Sequence, residues 1–336
     1  MLKSQFELFV KFIYSIVISW FYAIWLYDLP ALLYRDRTNY IGYATYPDIY
    51  ITIAKTKGYL FFEPLFLFLN KWSLKLFNNP EFSIKLFVFF ITFSVCFFCF
   101  YRTKYFVFGL LGIFFLFIQT QALGMQLVTI RQGLGMAVLL LTLPFAKKEW
   151  HVFALIAFCG FVHNSFYIFL LFYLVDWFLE NKINVRKSIK LTYLILFGLL
   201  FAVSFFVASK FLETKQDYQD FEYSSGGGAF LFWLSILIYF LLFKGENETD
   251  QFAKLSYKIS IVGLIIYITG YFFTPISGRI IGTFMPFIII SLFSKFQTSD
   301  FFVFVFMVFV NFYLYYNGAF EGFLAVPLET FHRYVF

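Results

Sequence analysis

The chain has 336 residues, of which 61% are hydrophobic and only 13% charged, and its mean hydropathy is +0.79. Because a soluble domain carries about 25% charged residues, this composition excludes a soluble globular protein and predicts an all-α polytopic integral membrane protein. The net charge of +7 is typical of cytoplasmic loops that face anionic lipid, so we expect no nucleic-acid partner. The cysteines Cys96, Cys99 and Cys159 lie in apolar runs and are interpreted as packing residues.

The apolar runs divide the chain into predicted spans and two external loops. The first run, 8–29, is interpreted as a retained signal anchor with a cytoplasmic N-terminus. It is followed by a long external loop, 30–81, whose segment 64–77 is predicted to form an interfacial helix, with a re-entrant or spanning helix as the alternatives. A second external loop covers 210–228. The remaining uninterrupted spans are predicted at 82–100, 105–121, 125–145, 189–209, 228–243, 256–274, 278–295 and 300–317. The whole chain, 1–336, is expected to form one membrane-embedded domain.

The segment Trp150–Leu179 fits either one long tilted helix or two half-helices that meet at His163. Basic residues lie on both sides of it, at Lys147 and Lys148 and again from Lys182 onward. If positive charge marks the cytoplasm on both sides, the segment crosses an even number of times. We therefore predict a hairpin with His163 at its apex, about 11 spans in total and an external C-terminus.

Arg131 lies inside a predicted span, where a guanidinium costs at least about 2.5 kcal/mol at the bilayer centre. It precedes Lys147 by 16 residues, and Arg279 precedes Lys295 by the same number. At the rise of a helix, both arginines lie roughly 24 Å from the cytoplasmic surface, and His163 lies at about 20 Å. These groups therefore predict an active-site layer near the outer face.

The external loops add candidate partners for this layer, namely Arg35, Asp48, Glu63 and Asp217. Each candidate also has a purely structural interpretation. The two arginines could extend to the outer headgroups, and His163 could bond to the backbone of a turn. Glu63-Pro64 is also a normal helix start. We interpret Asp36 and Arg37 as solvated residues beside the membrane.

The chemistry that fits this layer is transfer from a lipid pyrophosphate. Arginines bind such a group bidentately and stabilise the negative charge that develops on the leaving group. A carboxylate or a histidine then removes the proton of the attacking hydroxyl, and Glu63 and His163 are the candidates, His163 being preferred for its position. Arginines would replace the metal of many soluble sugar transferases, so we expect no metal and no cofactor.

At these residues the chain resembles the EpsG/Wzy-type bacterial polysaccharide polymerases. The resemblance rests on Arg131-Gln132 at the start of a small-residue helix, the pair Lys147-Lys148, and the run from Phe161 to Ser165 that contains His163 and Asn164. Arg35 with the tyrosine-rich stretch 40–50, Glu63-Pro64 and Arg279 match further family features. Where the family's first loop carries Asp-Tyr, this chain has Asn39-Tyr40.

The resemblance implies polymerisation of undecaprenyl-pyrophosphate-linked repeat units at the outer face of the bacterial inner membrane. The growing chain of one unit would move to the non-reducing sugar of the next. The partners would be this lipid-linked donor and acceptor and membrane lipid, and a chain-length regulator is left open. The predicted catalytic residues are Arg131, His163, Arg279 and Glu63. The predicted substrate-binding residues are Arg35, Asp48, Gln132, Asn164 and Asp217.

Three other functions remain open from the residues alone. One is a glycosyltransferase that adds single sugars from a polyprenyl monophosphate, and another is a membrane O-acyltransferase, which also pairs arginine and histidine. The third is a polysaccharide flippase or other transporter, although no repeated halves are visible in the sequence.

Overall fold

The computed structural model of the chain describes residues 2–57, 63–211, 227–244, 250–273, 276–294 and 296–336. The described residues are almost entirely helical, with one isolated antiparallel bridge between Tyr34 and Leu324. The helices of the first half are α1 (Leu2–Tyr27), α2 (Arg37–Thr45), α3 (Pro47–Lys57), α4 (Pro64–Phe77), α5 (Pro80–Arg102), α6 (Phe106–Ile118), α7 (Thr120–Leu127) and α8 (Ile130–Thr142). Those of the second half are α9 (Glu149–Gly160), α10 (Ser165–Asn181), α11 (Lys187–Phe211), α12 (Gly228–Phe243), α13 (Gln251–Gly270), α14 (Ile276–Ser294), α15 (Thr298–Leu314) and α16 (Leu328–Val335).

Within the described residues, six helices are long and apolar enough to cross a membrane, namely α1, α5, α11, α13, α14 and α15. The bent pair α6 and α7 would make a seventh span, and α8, α9 and α12 are apolar but shorter. The prediction of an all-helical polytopic membrane protein is therefore confirmed. The predicted number of 11 spans is not.

The structure departs from the predicted spans between α6 and α8. The sequence predicted two uninterrupted spans there, 105–121 and 125–145. The chain instead bends by 83° between α6 and α7 and breaks again before α8. The Gln119 side chain accepts a hydrogen bond from the Ala122 backbone N–H at 2.6 Å and so caps α7. This cap satisfies a backbone donor that would otherwise be exposed at the bend.

The long helices differ in how far they are enclosed. In α13 and α14, 78% and 83% of an apolar 18-residue stretch is buried, against 17% in α11. The two enclosed helices pack against each other, and α1 packs along α5. Apolar side chains such as Phe9 on α1 and Phe309 on α15 remain exposed. We interpret these outer faces as lipid-facing, because lipid is as apolar a solvent as a protein core.

The segment around His163 is broken as predicted. Helix α9 ends at Gly160, α10 begins at Ser165, and the two helices pack against each other as a hairpin. Their lengths of 12 and 17 residues correspond to about 18 and 26 Å, which is less than a hydrocarbon core of about 30 Å. Gly160 allows the close approach, because a Cβ there would lie 2.3 Å from the ring of Tyr167.

The predicted helix 64–77 is present as α4 with the same bounds, and its interfacial position stays a prediction. Helices α2 and α3 precede it in the first predicted loop and pack beside it. The C-terminal segment returns to the start of that loop, where Ala325 N–H donates to the Leu33 carbonyl at 2.8 Å. The first loop and the C-terminus therefore lie on the same side of the bundle.

Basic residues that the sequence placed in the cytoplasm gather around contacts at helix ends. Lys244 pairs with Asp300 at 2.8 Å, and Arg102 lies 3.4 Å from Asp250. The Lys104 backbone N–H donates to the Phe293 carbonyl at 2.9 Å. The cytoplasmic position of these helix ends stays a prediction from the positive-inside rule.

Candidate active site

Glu63 is the residue around which the candidate site is built. It is the N-cap of α4 and has φ 53° and ψ 58°, in the left-handed region that non-glycine residues rarely adopt. A residue held there costs roughly 1–3 kcal/mol, and such strain is concentrated at functional sites. Pro64 starts the helix with a preset φ, and the Leu65 N–H donates to the Phe161 carbonyl at 3.0 Å. The start of α4 is thereby fixed to the turn of the α9–α10 hairpin.

The Glu63 carboxylate contacts two other parts of the chain, the start of α8 and the turn between α9 and α10. One oxygen forms an ion pair with Nη1 of Arg131. The other lies 3.7 Å from Nε2 of His163 and accepts a 3.4 Å hydrogen bond from the backbone N–H of Asn164. The Glu63 side chain is only 7% exposed, whereas that of Arg131 is 31% exposed. The carboxylate is therefore enclosed, and the Arg131 side chain is partly exposed.

The partners of His163 indicate its tautomer. Its Nδ1 accepts a hydrogen bond from the Ser165 backbone N–H at 3.1 Å and lies 2.8 Å from the Ser165 hydroxyl. A backbone N–H can only donate, so Nδ1 is the acceptor and the proton of the neutral ring is assigned to Nε2. His163 therefore directs a donor toward Glu63 and the site.

Arg131 is the second residue of α8 and follows the break that replaces the predicted uninterrupted helix. Its guanidinium carbon lies 5.7 Å from the ring centre of Tyr40 and 5.5 Å from that of Tyr43, within the range of cation–π interactions. Its Nε is buried and has no hydrogen-bond partner among the described residues. The ion pair with Glu63 and the two tyrosine rings thus fix the position of the Arg131 side chain.

Gln132 connects α8 to the start of α14. Its Nε2 donates to the Arg279 carbonyl at 2.8 Å and to the Thr283 hydroxyl at 2.5 Å. This fixes the backbone of Arg279, whose residue is exposed. Gln132 follows Arg131 directly in the sequence, so the backbone of Arg279 lies beside the start of α8.

Helices α4, α8, α10 and α14 all begin at the candidate site. The backbone N–H groups of a first helical turn have no partner in their own helix, and the helix dipole adds partial positive charge there. The two arginines and these helix starts thus place more positive than negative charge around the Glu63 carboxylate. Similar helix starts hold phosphate and carboxylate groups in soluble proteins and transporters.

The family model of the EpsG family matches residues 19–330, which include every candidate site residue. The chain belongs to the EpsG family. No curated protein and no solved structure matches the chain. Family membership supports a polysaccharide-polymerase type of membrane protein, in agreement with the resemblance found in the sequence.

Other predicted residues of this EpsG-family chain lie in different contacts. The Arg35 Nε donates to the Leu324 carbonyl at 2.7 Å, and Asp48 forms an exposed ion pair with Lys71 at 2.6 Å. No described hydrogen bond or ion pair joins Arg35 or Asp48 to Glu63, so their substrate-binding roles stay predictions. Asp217 lies outside the described residues.

Arg37 corrects an interpretation made from the sequence. It was expected to be solvated, but its residue is only 3% exposed, and its Nη2 donates to the Leu127 carbonyl at 2.6 Å. The guanidinium also lies 5.0 Å from the ring centre of Tyr34. Burial lowers the pKa of Arg37 to about 10, which still leaves it charged at neutral pH. Arg37 therefore connects the first loop to the end of α7, just before the break that leads to Arg131.

The described residues contain no group of three or more His, Cys, Asp and Glu side chains placed to hold a metal ion. Whether the reaction is independent of metal stays a prediction.

Proposed function

We propose that this protein polymerises lipid-linked oligosaccharide repeat units by glycosyl transfer from a polyprenyl-pyrophosphate-linked chain. The proposal rests chiefly on one observation, the Glu63 carboxylate that connects Arg131 and His163 where helices α4, α8, α10 and α14 begin. Membership of the EpsG family supports the same reaction class.

In the proposed mechanism, the donor pyrophosphate competes with Glu63 for Arg131. A pyrophosphate carries more negative charge than a carboxylate and can accept the bidentate hydrogen bonds of a guanidinium. Arg131 then pairs with the donor, together with the nearby Arg279 and the helix starts. Glu63 loses its cationic partner at the moment the donor is in place.

The released Glu63 carboxylate acts as the general base. It accepts the proton of the acceptor's non-reducing sugar hydroxyl, and the hydroxyl oxygen forms a bond to the anomeric carbon of the donor. The bond from that carbon to the pyrophosphate oxygen breaks, and its electron pair leaves with the lipid pyrophosphate. The arginines stabilise this charge as it develops.

His163 is assigned a donor role instead of the base role that its sequence position favoured. Its Nδ1 is occupied by the Ser165 N–H, and its Nε2 proton points toward Glu63. In this form the ring can donate a hydrogen bond to Glu63 or to a phosphate oxygen, but it offers no free nitrogen as an acceptor.

The outer face of the inner membrane is the proposed location of the reaction. The basic helix ends favour a cytoplasmic position for the opposite end of the bundle. Undecaprenyl pyrophosphate is the proposed carrier, and a separate chain-length regulator is compatible with this arrangement.

The test is deletion of the gene in its host, followed by gel analysis of the surface polysaccharide. Complementation with wild type should restore a ladder of repeat units, whereas Arg131→Ala and Arg279→Ala should leave a single repeat unit. Arg333→Ala removes an exposed arginine of α16 and serves as the matched control that restores the ladder. Expression of each variant is checked by immunoblot. An unchanged ladder in the deletion strain, with no paralogue present, would overturn the proposal.

A further inference from the structure

A cavity lined by charged residues lies at the opposite end of α10 from the candidate active site. Helix α10 begins beside Glu63 and ends at Asn181, and the residues Asp176 and Glu180 near its end line a cavity of about 340 Å³. The start of α9, the start of α11 and the first turns of α13 complete the wall. This volume lies within the range of small-ligand sites in proteins.

Two of the lysines that line the cavity are paired with its carboxylates. Lys190 lies 3.2 Å from Asp176 and 3.0 Å from Glu180, and Lys258 lies 3.2 and 3.5 Å from the same two carboxylates. The third carboxylate, Glu149, accepts a hydrogen bond from the Tyr173 hydroxyl at 3.0 Å. These contacts form a compact network at the base of the cavity.

Three further lysines line the same cavity, namely Lys147, Lys187 and Lys254. None of them forms an ion pair with another described residue. Lys187 lies 6.0 Å from the ring centre of Tyr257, so its ammonium group stays next to the cavity wall. The lining thus carries five lysines against three carboxylates, and the excess positive charge is on the lysines that lack an ionic partner.

The rest of the lining consists of Gln251, Tyr257 and five aliphatic side chains of α11, α12 and α13. The aliphatic residues are Leu191, Leu194, Leu241, Leu255 and Ile261. A cavity lined by both lysines and aliphatic groups suits an amphiphile whose head is anionic. Lysine binds phosphate as a compact point charge, and basic pockets between membrane helices bind phospholipid headgroups.

We propose that this cavity binds a phosphate group of an anionic ligand, with the headgroup of an anionic phospholipid as the expected source. The phosphate would contact Lys187 and Lys254, while Lys190 and Lys258 remain paired with Asp176 and Glu180. The site is separate from the candidate active site: Asp176 follows Asn164 by 12 residues, or roughly 18 Å of helix.

The test uses the full-length protein, purified in detergent and freed of lipid, with ligand retention measured by native mass spectrometry. Phosphatidylglycerol and phosphatidylcholine of equal chain length are titrated separately, and inorganic pyrophosphate is titrated as a soluble source of phosphate. The cavity variant is Lys187→Gln with Lys254→Gln. Its control, Lys182→Gln with Arg186→Gln, removes two exposed positive charges at the same end of the bundle that do not line the cavity.

We expect wild type to retain phosphatidylglycerol in preference to phosphatidylcholine. The cavity variant should weaken phosphatidylglycerol binding about tenfold or more, because two lysine–phosphate contacts are lost. The control variant should stay within about twofold of wild type. Pyrophosphate binding that depends on Lys187 and Lys254, without lipid selectivity, would uphold the phosphate site and identify a soluble ligand as its source.

Equal losses in the cavity and control variants would overturn the proposal, because they would mean that the lysines attract anions only through general surface charge. The proposal would also be overturned if wild type bound neither phosphatidylglycerol nor pyrophosphate. Equal melting temperatures of the ligand-free proteins would show that the cavity variant is folded.

Discussion

Replacement of Glu63 by glutamine tests whether Glu63 is the general base or only an anchor for Arg131. The amide keeps the size of the side chain and can still accept the 3.4 Å hydrogen bond from the Asn164 N–H. It removes the negative charge that pairs with Arg131 and faces His163. The proposed mechanism therefore predicts opposite effects on turnover and on donor binding.

Turnover should fall by about 10²–10⁴-fold, the usual contribution of a general base, which corresponds to about 3–5 kcal/mol of activation free energy. The KM for the lipid-linked donor should stay the same or decrease, because the donor no longer competes with a carboxylate for Arg131. Breaking a buried ion pair costs about 3–5 kcal/mol when the remaining charge is fully enclosed. Arg131 is 31% exposed, so we expect a smaller loss of stability, about 1–2 kcal/mol.

The assay follows the release of lipid pyrophosphate by purified protein at several donor concentrations, with the melting temperature in detergent as a control for folding. The matched variant Glu329→Gln neutralises an exposed carboxylate of α16 that lies outside the candidate site. A Glu63→Gln enzyme with a raised donor KM and a turnover within about tenfold of wild type would refute the base assignment. That result would make Glu63 an anchor that only orients Arg131.

Three further variants test neighbouring contacts. Arg131→Lys keeps the charge but loses the planar bidentate geometry, so donor KM should rise about tenfold or more in the lipid-pyrophosphate release assay. Gln132→Leu leaves the Thr283 hydroxyl and the Arg279 carbonyl without this donor; a loss of about 1–3 kcal/mol in stability and weaker donor binding are expected, and unchanged melting and KM would contradict the link. Arg37→Ala removes a charged donor from the Leu127 carbonyl, so the melting temperature should fall by an amount equivalent to about 2 kcal/mol.

Much of the helical framework was predictable because its boundaries are marked by strong local signals. Helix α4 matches the predicted range 64–77, since Pro64 fits the first helical turn and Asn78 ends the helix in the left-handed conformation. The hairpin at His163 was predicted from the basic residues on both sides of an apolar segment that is too long for one ordinary span. Both predictions rest on residues within or directly beside the segment concerned.

The break before Arg131 was not predictable from hydrophobicity, because apolar residues continue through it. The polar run Gln119–Gln121 marks the first interruption in the sequence, but Thr129 at the second is a single polar residue, and single polar residues also occur inside uninterrupted spans. Arg37 was misjudged for a related reason. Its main partner is the backbone carbonyl of Leu127, which no side-chain pattern reveals.

The candidate site itself was only partly predictable. Depth counting grouped Arg131, His163 and Arg279 at one level, but it could not show that Glu63 pairs with Arg131 across 68 residues of sequence. The tautomer of His163 depends on the Ser165 N–H, and that geometry is visible only in the folded turn. The proposal that Glu63 and not His163 is the base rests on these two contacts.

The most direct test of the central claim is polymerisation by the purified protein with one lipid-pyrophosphate-linked repeat unit as the only substrate. Mass spectrometry of the products should show masses that increase by whole repeat units, with one lipid pyrophosphate released for each step and no such products from Glu63→Gln. Products that grow by single sugars from a polyprenyl monophosphate donor, or a folded wild-type protein that leaves the repeat unit unchanged, would contradict the account.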